Sequence, residues 1–147
     1  MLDYPVRKIM RRQKLLTARP EAFVAKVAQR MAARNVGAVL VVEGEKLIGI
    51  FTERDLLVRV IAAGLEPRTT RLAEVMTTGP ATITPDRPLG YALVVMHRGG
   101  FRHLPVTEDG KPVGIVSARS ALDPDLEEFT SETSRRKHFD DMVSGKA

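Results

Sequence analysis

The chain has 147 residues, 44% hydrophobic and 28% charged, enough for one globular core or two small halves sharing one, and too few for several independent domains. It has no cysteine, which excludes thiolate catalysis, cysteine-ligated zinc, iron–sulfur clusters and disulfide frameworks. Lys and Arg outnumber Asp and Glu by 23 to 18, a net charge of +5 that favours anionic partners in general.

No apolar run approaches the roughly 18–20 residues of a membrane span, and the opening stretch Met1 to Gln13 lacks the apolar segment of a signal peptide. A cytoplasmic protein with no membrane partner is expected. Along the chain, Ile9-Met10 forms a short apolar turn, and an extended piece, Leu15 to Thr17, leads to Pro20. Phe23, Val24, Val27 and Met31 then fall at helical spacing, with Gly37 as the expected stop. Two apolar runs, Ala38 to Val42 and Leu47 to Phe51, flank Glu43-Gly44-Glu45-Lys46, a composition suited to a tight hairpin. A second helix begins after Thr52. The stretch from Ala63 to Thr70, with Gly64 and Pro67, reads as a linker. This gives a first unit over 1–62, a linker over 63–71 and a second unit over 72–122.

The same order then returns. Val75-Met76 is followed by an extended piece, Ala81 to Thr84, and by a helix carrying Leu89, Ala92, Leu93 and Met96 that stops at Gly99-Gly100. A second hairpin, His103 to Thr107 and Pro112 to Val116, flanks Glu108-Asp109-Gly110-Lys111, and a helix follows Ser117. A shift of 65 residues brings Thr17, Pro20, Met31, Val41, Gly49, Ile50, Arg54 and Leu57 onto Thr82, Pro85, Met96, Val106, Gly114, Ile115, Arg119 and Leu122. The fold class is therefore mixed α/β (α+β): two β-α-β-β-α repeats. Neither unit is large enough to bury a sufficient core alone, so the two are expected to pack sheet to sheet around one shared core. Residues 123–147, with Leu126 and Phe129 as their anchors, read as a peripheral helix running into a disordered end.

The stretches Gly49 to Asp55 and Gly114 to Ser120 each join a strand end to a helix start. Unpaired first-turn N–H groups and the helix dipole make such a place suitable for an anion. Thr52 as N-cap with Asp55 three residues on is also a plain capping box, which needs no ligand. The company of these motifs, a Pro-led helix, a hydrophobic hairpin, Gly-Ile-Phe-Thr-Glu-Arg-Asp, and then Phe101-Arg102-His103-Leu104-Pro105-Val106 in the second unit, resembles tandem CBS domains over about residues 6–122.

The resemblance implies two clefts related by a pseudo-twofold axis, with no obligatory cofactor and an adenosine ligand: AMP, ADP or ATP, and also S-adenosylmethionine or NAD. It places Asp55 on the ribose diol, Thr52 on a phosphate or ribose oxygen, Arg54 within reach of phosphate, Ala81-Thr82-Ile83 along the adenine, and Arg102 and His103 facing the phosphates. At the 65-residue shift, Arg102 and His103 meet Gly37 and Ala38, and Asp55 meets Ser120. The second cleft, with Thr17, Ser117, Arg119 and Ser120, is thus expected to lack both the carboxylate and the cationic pair and to bind weakly.

An enzyme is not expected, because His97, His103 and His138 show no metal or triad spacing. The resemblance implies a sensor acting in trans on an unidentified protein target. It also implies a homodimer, built on faces such as Val58, Ile61 and Leu65 with Leu93 and Met96. A nucleic-acid binder rests on the basic clusters at Arg7-Lys8, Arg11-Arg12-Lys14 and Arg135-Arg136-Lys137, but the chain has two Tyr, five Phe and no Trp for stacking. A purely structural dimerisation module is the other alternative.

Overall fold

The computed structural model describes residues 2–10, 15–119 and 121. Ser120, the expected second helix of the second unit and the tail over 123–147 lie outside them. The first repeat runs β1 (Thr17–Ala18), α1 (Val24–Arg34), β2 (Ala38–Glu43), β3 (Lys46–Thr52) and α2 (Glu53–Asp55), which continues as a π-helical turn over Leu56–Ile61. After the linker come α3 (Leu72–Val75), β4 (Thr77–Thr78), α4 (Leu89–Gly99), β5 (His103–Glu108) and β6 (Lys111–Ser117).

Both hairpins form where the sequence places them. At the second, Asp109 (φ 52°) and Gly110 (φ 78°) both take the left-handed conformation that a two-residue type I′ loop needs. In the first sheet the order is β1-β2-β3-β4. β1 lies parallel to β2, and β3 pairs antiparallel with both β2 and β4. A single parallel bridge, Ile83 to Val106, is the second repeat's counterpart of the β1–β2 pairing. One stop differs from expectation: α1 ends at Asn35, whose left-handed backbone (φ 53°) returns its N–H to Met31 and Ala32. Asn tolerates this conformation, so Gly37 is left for another purpose.

The strands are buried on both faces, and that divides the core. Val39, Val41 and Phe51 join Val24, Val27 and Met31 beneath the first repeat's helices. Leu104, Val106 and Val116 join Leu89, Ala92 and Met96 in the second. Rather than one shared core, a smaller third cluster, Ala38, Leu40 and Ile50 with Leu15, Leu47 and Ile115, joins sheet to sheet across the seam. Met96 is core and not leftover surface; Tyr91 and Val94 are the exposed apolar residues of α4.

The segments that precede the two repeats cross over. Val6 and Met10 are buried in the second repeat's core, and Leu72 and Val75 in the first's. Neither α1 nor α4 has a side-chain cap. Instead Val24 and Ala25 donate their N–H groups to the carbonyls of Thr70 and Pro67, and Leu89 and Gly90 donate to those of Tyr4 and Leu2. The return bonds match as well: Leu72 to Ala22 and Ala73 to Pro20 in one repeat, Val6 to Arg87 and Arg7 to Pro85 in the other. Met76 and Met10 close each crossing against Gly49 and Gly114, where a Cβ would meet the methionine sulfur at 2.6 and 2.8 Å.

Val6 is fully buried, so Val6→Ala should cost about 1–3 kcal/mol, between the usual figures for Ile→Val and Leu→Ala. Its distinctive signature is location: amide exchange should rise in α4 and β5–β6 more than in α1 and β2–β3. Faster exchange confined to the first repeat would rule out the crossover.

Candidate functional site

Thr52 ends β3 in an extended conformation and begins α2. Its hydroxyl accepts from the Asp55 N–H (3.2 Å) and donates to Asp55 Oδ2 (3.0 Å), while its own N–H donates to the same oxygen (2.9 Å). The capping box is therefore real, and it commits the Thr52 hydroxyl proton. It leaves Asp55 Oδ1 to Arg59, whose Nε stands 3.5 Å away. Arg59 in turn donates from Nη1 to the carbonyls of Val75 (3.3 Å) and Met76 (3.2 Å). The carboxylate is thus fixed from two sides, yet it keeps acceptor capacity on Oδ1, because an ionised carboxylate has about four lone-pair sites.

A cavity of about 490 Å³ opens beside it. Thr52, Glu53, Arg54 and Asp55 of the first repeat line one side, and Ala81, Phe101, Arg102 and His103 of the second line the other. The structure thus brings together six of the sequence-derived residues. Thr82 is exposed and is not on the wall. Ile83 is a core residue at 3% exposure, packed with Leu104 and Val106; its backbone is spent on Pro105 and Thr107, so it is unavailable to a ligand. Ile50, Thr77, Pro80 and Gly100 line the cleft unannounced by the sequence.

A second cleft of about 740 Å³ lies across the seam, lined by Ser117, Arg119 and Gly37 and by apolar residues including Leu16, Met31 and Leu40. Thr17 is not part of it; Leu15 and Leu16 are. The expectation that this cleft lacks the cationic pair is corrected, because Arg102 and His103 stand at the seam and line both clefts. Glu53 does the same, and the sequence reading passed it over inside its own Thr-Glu-Arg-Asp motif. Among the described residues no group of three or more acidic or histidine side chains could hold a metal ion, and no helix is long and apolar enough to cross a membrane.

Burial holds the His103 imidazole below its ordinary 6.5; Glu53 opposes that shift and Arg102 adds to it. Above about pH 6.5 the ring is neutral in the folded and unfolded chain alike. As the pH falls below that value the unfolded chain takes the proton first, so stability drops until the folded-state imidazole is also protonated. The melting temperature of the unliganded protein should accordingly decline as the pH falls through about 6.5, and His103→Gln should flatten part of that slope. Parallel slopes would remove His103 as the source.

Two α/β repeats, exchanged at their leading segments and enclosing paired clefts at the seam, define a two-repeat ligand-binding module. Both repeats match the CBS domain family model, over residues 6–62 and 72–125, and the chain belongs to the CBS domain family as a tandem pair. CBS pairs are in general regulatory modules rather than catalytic ones. The chain is 40% identical over 116 residues to the CBS domain-containing protein CBSCBSPB2 of Arabidopsis thaliana, covering 78% of this chain and 22% of that one. It spans between a fifth and a quarter of the length of the first curated relatives it matches. An uncharacterized conserved protein from Pyrococcus horikoshii superimposes with a TM-score of 0.79 at 28% identity, covering 85% of this chain and 94% of that one. The CBS domain pair of MJ0100, in complex with 5′-methylthioadenosine and S-adenosyl-L-methionine, shares the fold with a TM-score of 0.76 at 22% identity, covering 85% of this chain and 98% of that one.

Proposed function

We propose that the cleft between Asp55 and Arg102–His103 binds an adenosine ligand and that the module reports its occupancy to a partner protein in trans. The observation that carries this is the Asp55 carboxylate: Thr52 and Arg59 hold it at the mouth of a cavity whose far wall is cationic. A carboxylate with a free acceptor face suits the two hydroxyls of a ribose. Arg102 and His103 suit an anionic substituent on its 5′ side. In this reading Thr52 positions Asp55 and makes no phosphate contact of its own, while Ala81 and Pro80 supply the flat apolar wall for the base. Arg54 is exposed and answers phosphate from the rim.

The nucleic-acid reading gains nothing from the described basic residues. Arg7 is ion-paired to Asp86, and Lys8 stands over the Tyr4 ring at 5.5 Å. Arg11, Arg12, Lys14 and the cluster at Arg135 lie outside the described residues.

A second copy of the chain fits the exposed apolar face. Leu57 (62% exposed), Val58, Ile61 and Leu65 project from the π-helical turn and its end, and Tyr91 and Val94 from α4. Burying such residues stabilises by about 25 cal/mol per Å² removed from water, so the chain should sediment as a dimer at micromolar concentration; a monomer there ends the dimer proposal.

Calorimetric titration with AMP, ADP, ATP, NAD and S-adenosylmethionine tests the ligand assignment. Binding should approach one ligand per chain. Asp55→Ala should weaken it at least about tenfold, since charge-assisted hydrogen bonds contribute about 1.5–3 kcal/mol each. Loss of the cap alone would cost about 1 kcal/mol of stability and leave affinity in place, so unchanged affinity in a folded Asp55→Ala protein refutes the assignment.

A further inference from the structure

From the π-helical turn, Arg59 faces two ways. Its Nε lies 3.5 Å from Asp55 Oδ1, and its Nη1 donates to the carbonyls of Val75 (3.3 Å) and Met76 (3.2 Å) at the end of α3. Those carbonyls have no partner within so short a helix, and one planar guanidinium can serve them and a carboxylate together, where a lysine offers a single point charge. Arg59 is on the wall of neither cleft, so whatever it does for a ligand it does through Asp55. The other end of the contact is the crossing segment itself. Leu72 and Val75 are buried in the first repeat's core, and Leu72 and Ala73 donate their N–H groups to the carbonyls of Ala22 and Pro20. At the 65-residue shift Arg59 meets Pro124, which has no side-chain donor, and Asp55 meets Ser120. The second repeat's crossing repeats the backbone pattern, with Val6 and Arg7 bonded to Arg87 and Pro85, but its sequence supplies no counterpart of the Asp55–Arg59 pair.

We propose that Arg59 is a positioning residue for the first cleft: by bridging Asp55 to the end of α3 it makes the aim of the ligand-binding carboxylate depend on the seating of the first repeat's crossing segment. The proposal rests on the adenosine reading given above and adds the regulation of that site. The Thr52 box holds Oδ2, so Arg59 governs Oδ1, the oxygen left for a ribose hydroxyl. With the crossing segment seated, the guanidinium is anchored on two carbonyls and keeps Oδ1 in place. If α3 lifts, that anchor goes and the carboxylate is held from one side only. Linkage makes the effect reciprocal, so a bound ribose favours the seated crossing as much as the seated crossing favours the ribose. Because the Arg59 side chain is half-exposed, salt screens the contact, and the coupling is largest at low ionic strength.

Two measurements at low salt test this, each with the tightest-binding of AMP, ADP, ATP, NAD and S-adenosylmethionine, all of which carry the ribose diol. Arg59→Met keeps the apolar stem and removes the fork. It should weaken binding at least about threefold in the wild-type background and by less than about 1.5-fold in Asp55→Ala, because the two residues act as one unit. Equal losses in both backgrounds, the mark of a direct ligand contact or of general damage to the fold, overturn the proposal while leaving the adenosine cleft in place, and so does an unchanged affinity in the wild-type background. The second measurement needs no variant. Saturating wild type with ligand should slow amide exchange at Leu72 and Ala73 at least about threefold more than at Val6 and Arg7, their matches in the crossing without the bridge. Equal slowing at the two crossings overturns the proposal even if Arg59→Met does not fold. Failure of all five ligands to bind wild type ends the adenosine reading itself, and this proposal with it.

Discussion

The first-turn amides of α1 and α4 are satisfied by backbone carbonyls from far along the chain, and the placement of both clefts follows from that. A buried N–H left without an acceptor costs about 1–3 kcal/mol. Phe23 and Pro88, the residues at the two cap positions, offer no side-chain oxygen. Leu2 and Tyr4 therefore serve α4, and Pro67 and Thr70 serve α1. Each repeat is completed by a segment that belongs, in sequence, to the approach of the other. Once both crossings are made, the sheets have one way to face each other, with Leu40 and Ile50 against Ile115, and the strand ends that line the clefts are brought edge to edge.

The hairpin tips show how nearly the two halves match, and where they stop. Leu47 donates its N–H to the carbonyl of Gly110 across the seam, and Lys111 pairs with Glu45 at 2.7 Å. The residue matching Leu47 is Pro112, which has no N–H to return, so the bond exists in one direction. Side chains at the other end depart further, where the position matching Gly37 is Arg102 and the position matching Glu53 is Ala118. The fold is a twofold object at the level of the backbone and a one-sided object wherever chemistry can be done.

Much of this was open to reading from the sequence. The spacing of Val24, Val27 and Met31, and of Leu89, Ala92 and Met96, gave the helices because their burial is periodic, and the Gly-bearing turns gave the hairpins. The Thr52–Asp55 pair was legible as a local motif, and it formed as one. What escaped was non-local or carried by backbone. The crossing of the leading segments leaves no side-chain signature, since its bonds run between carbonyls and amides 42 to 88 residues apart. Aligning the repeats position by position assigned Arg102 and His103 to one cleft. Residues near a pseudo-twofold axis face both copies of whatever lies beside it, and a pairwise shift cannot show that. Ile83 belongs to the segment that the resemblance set along the adenine, but its pairing with Pro105 and Thr107 seats its side chain among Leu104 and Val106 in the core.

The π-helical turn carries a further consequence, one of phase. Ala62 donates to Leu57 and Leu65 to Val60, each five residues back, so the segment holds one residue more than an α-helix would in the same place. Such a turn is a point where chain length and helix direction can be traded. Removing a single residue from Leu57–Ile61 would let an ordinary α-helical ladder form and would leave the Thr52–Asp55 box untouched upstream. Were all of its residues kept and wound as an α-helix instead, everything downstream would swing by about 100°, the angle per residue of an α-helix. Leu65 and the carbonyls of Pro67 and Thr70 would then arrive on the wrong side of α1, so it is the wide turn, by taking up the extra residue, that lets the chain leave the helix already aimed at its crossing.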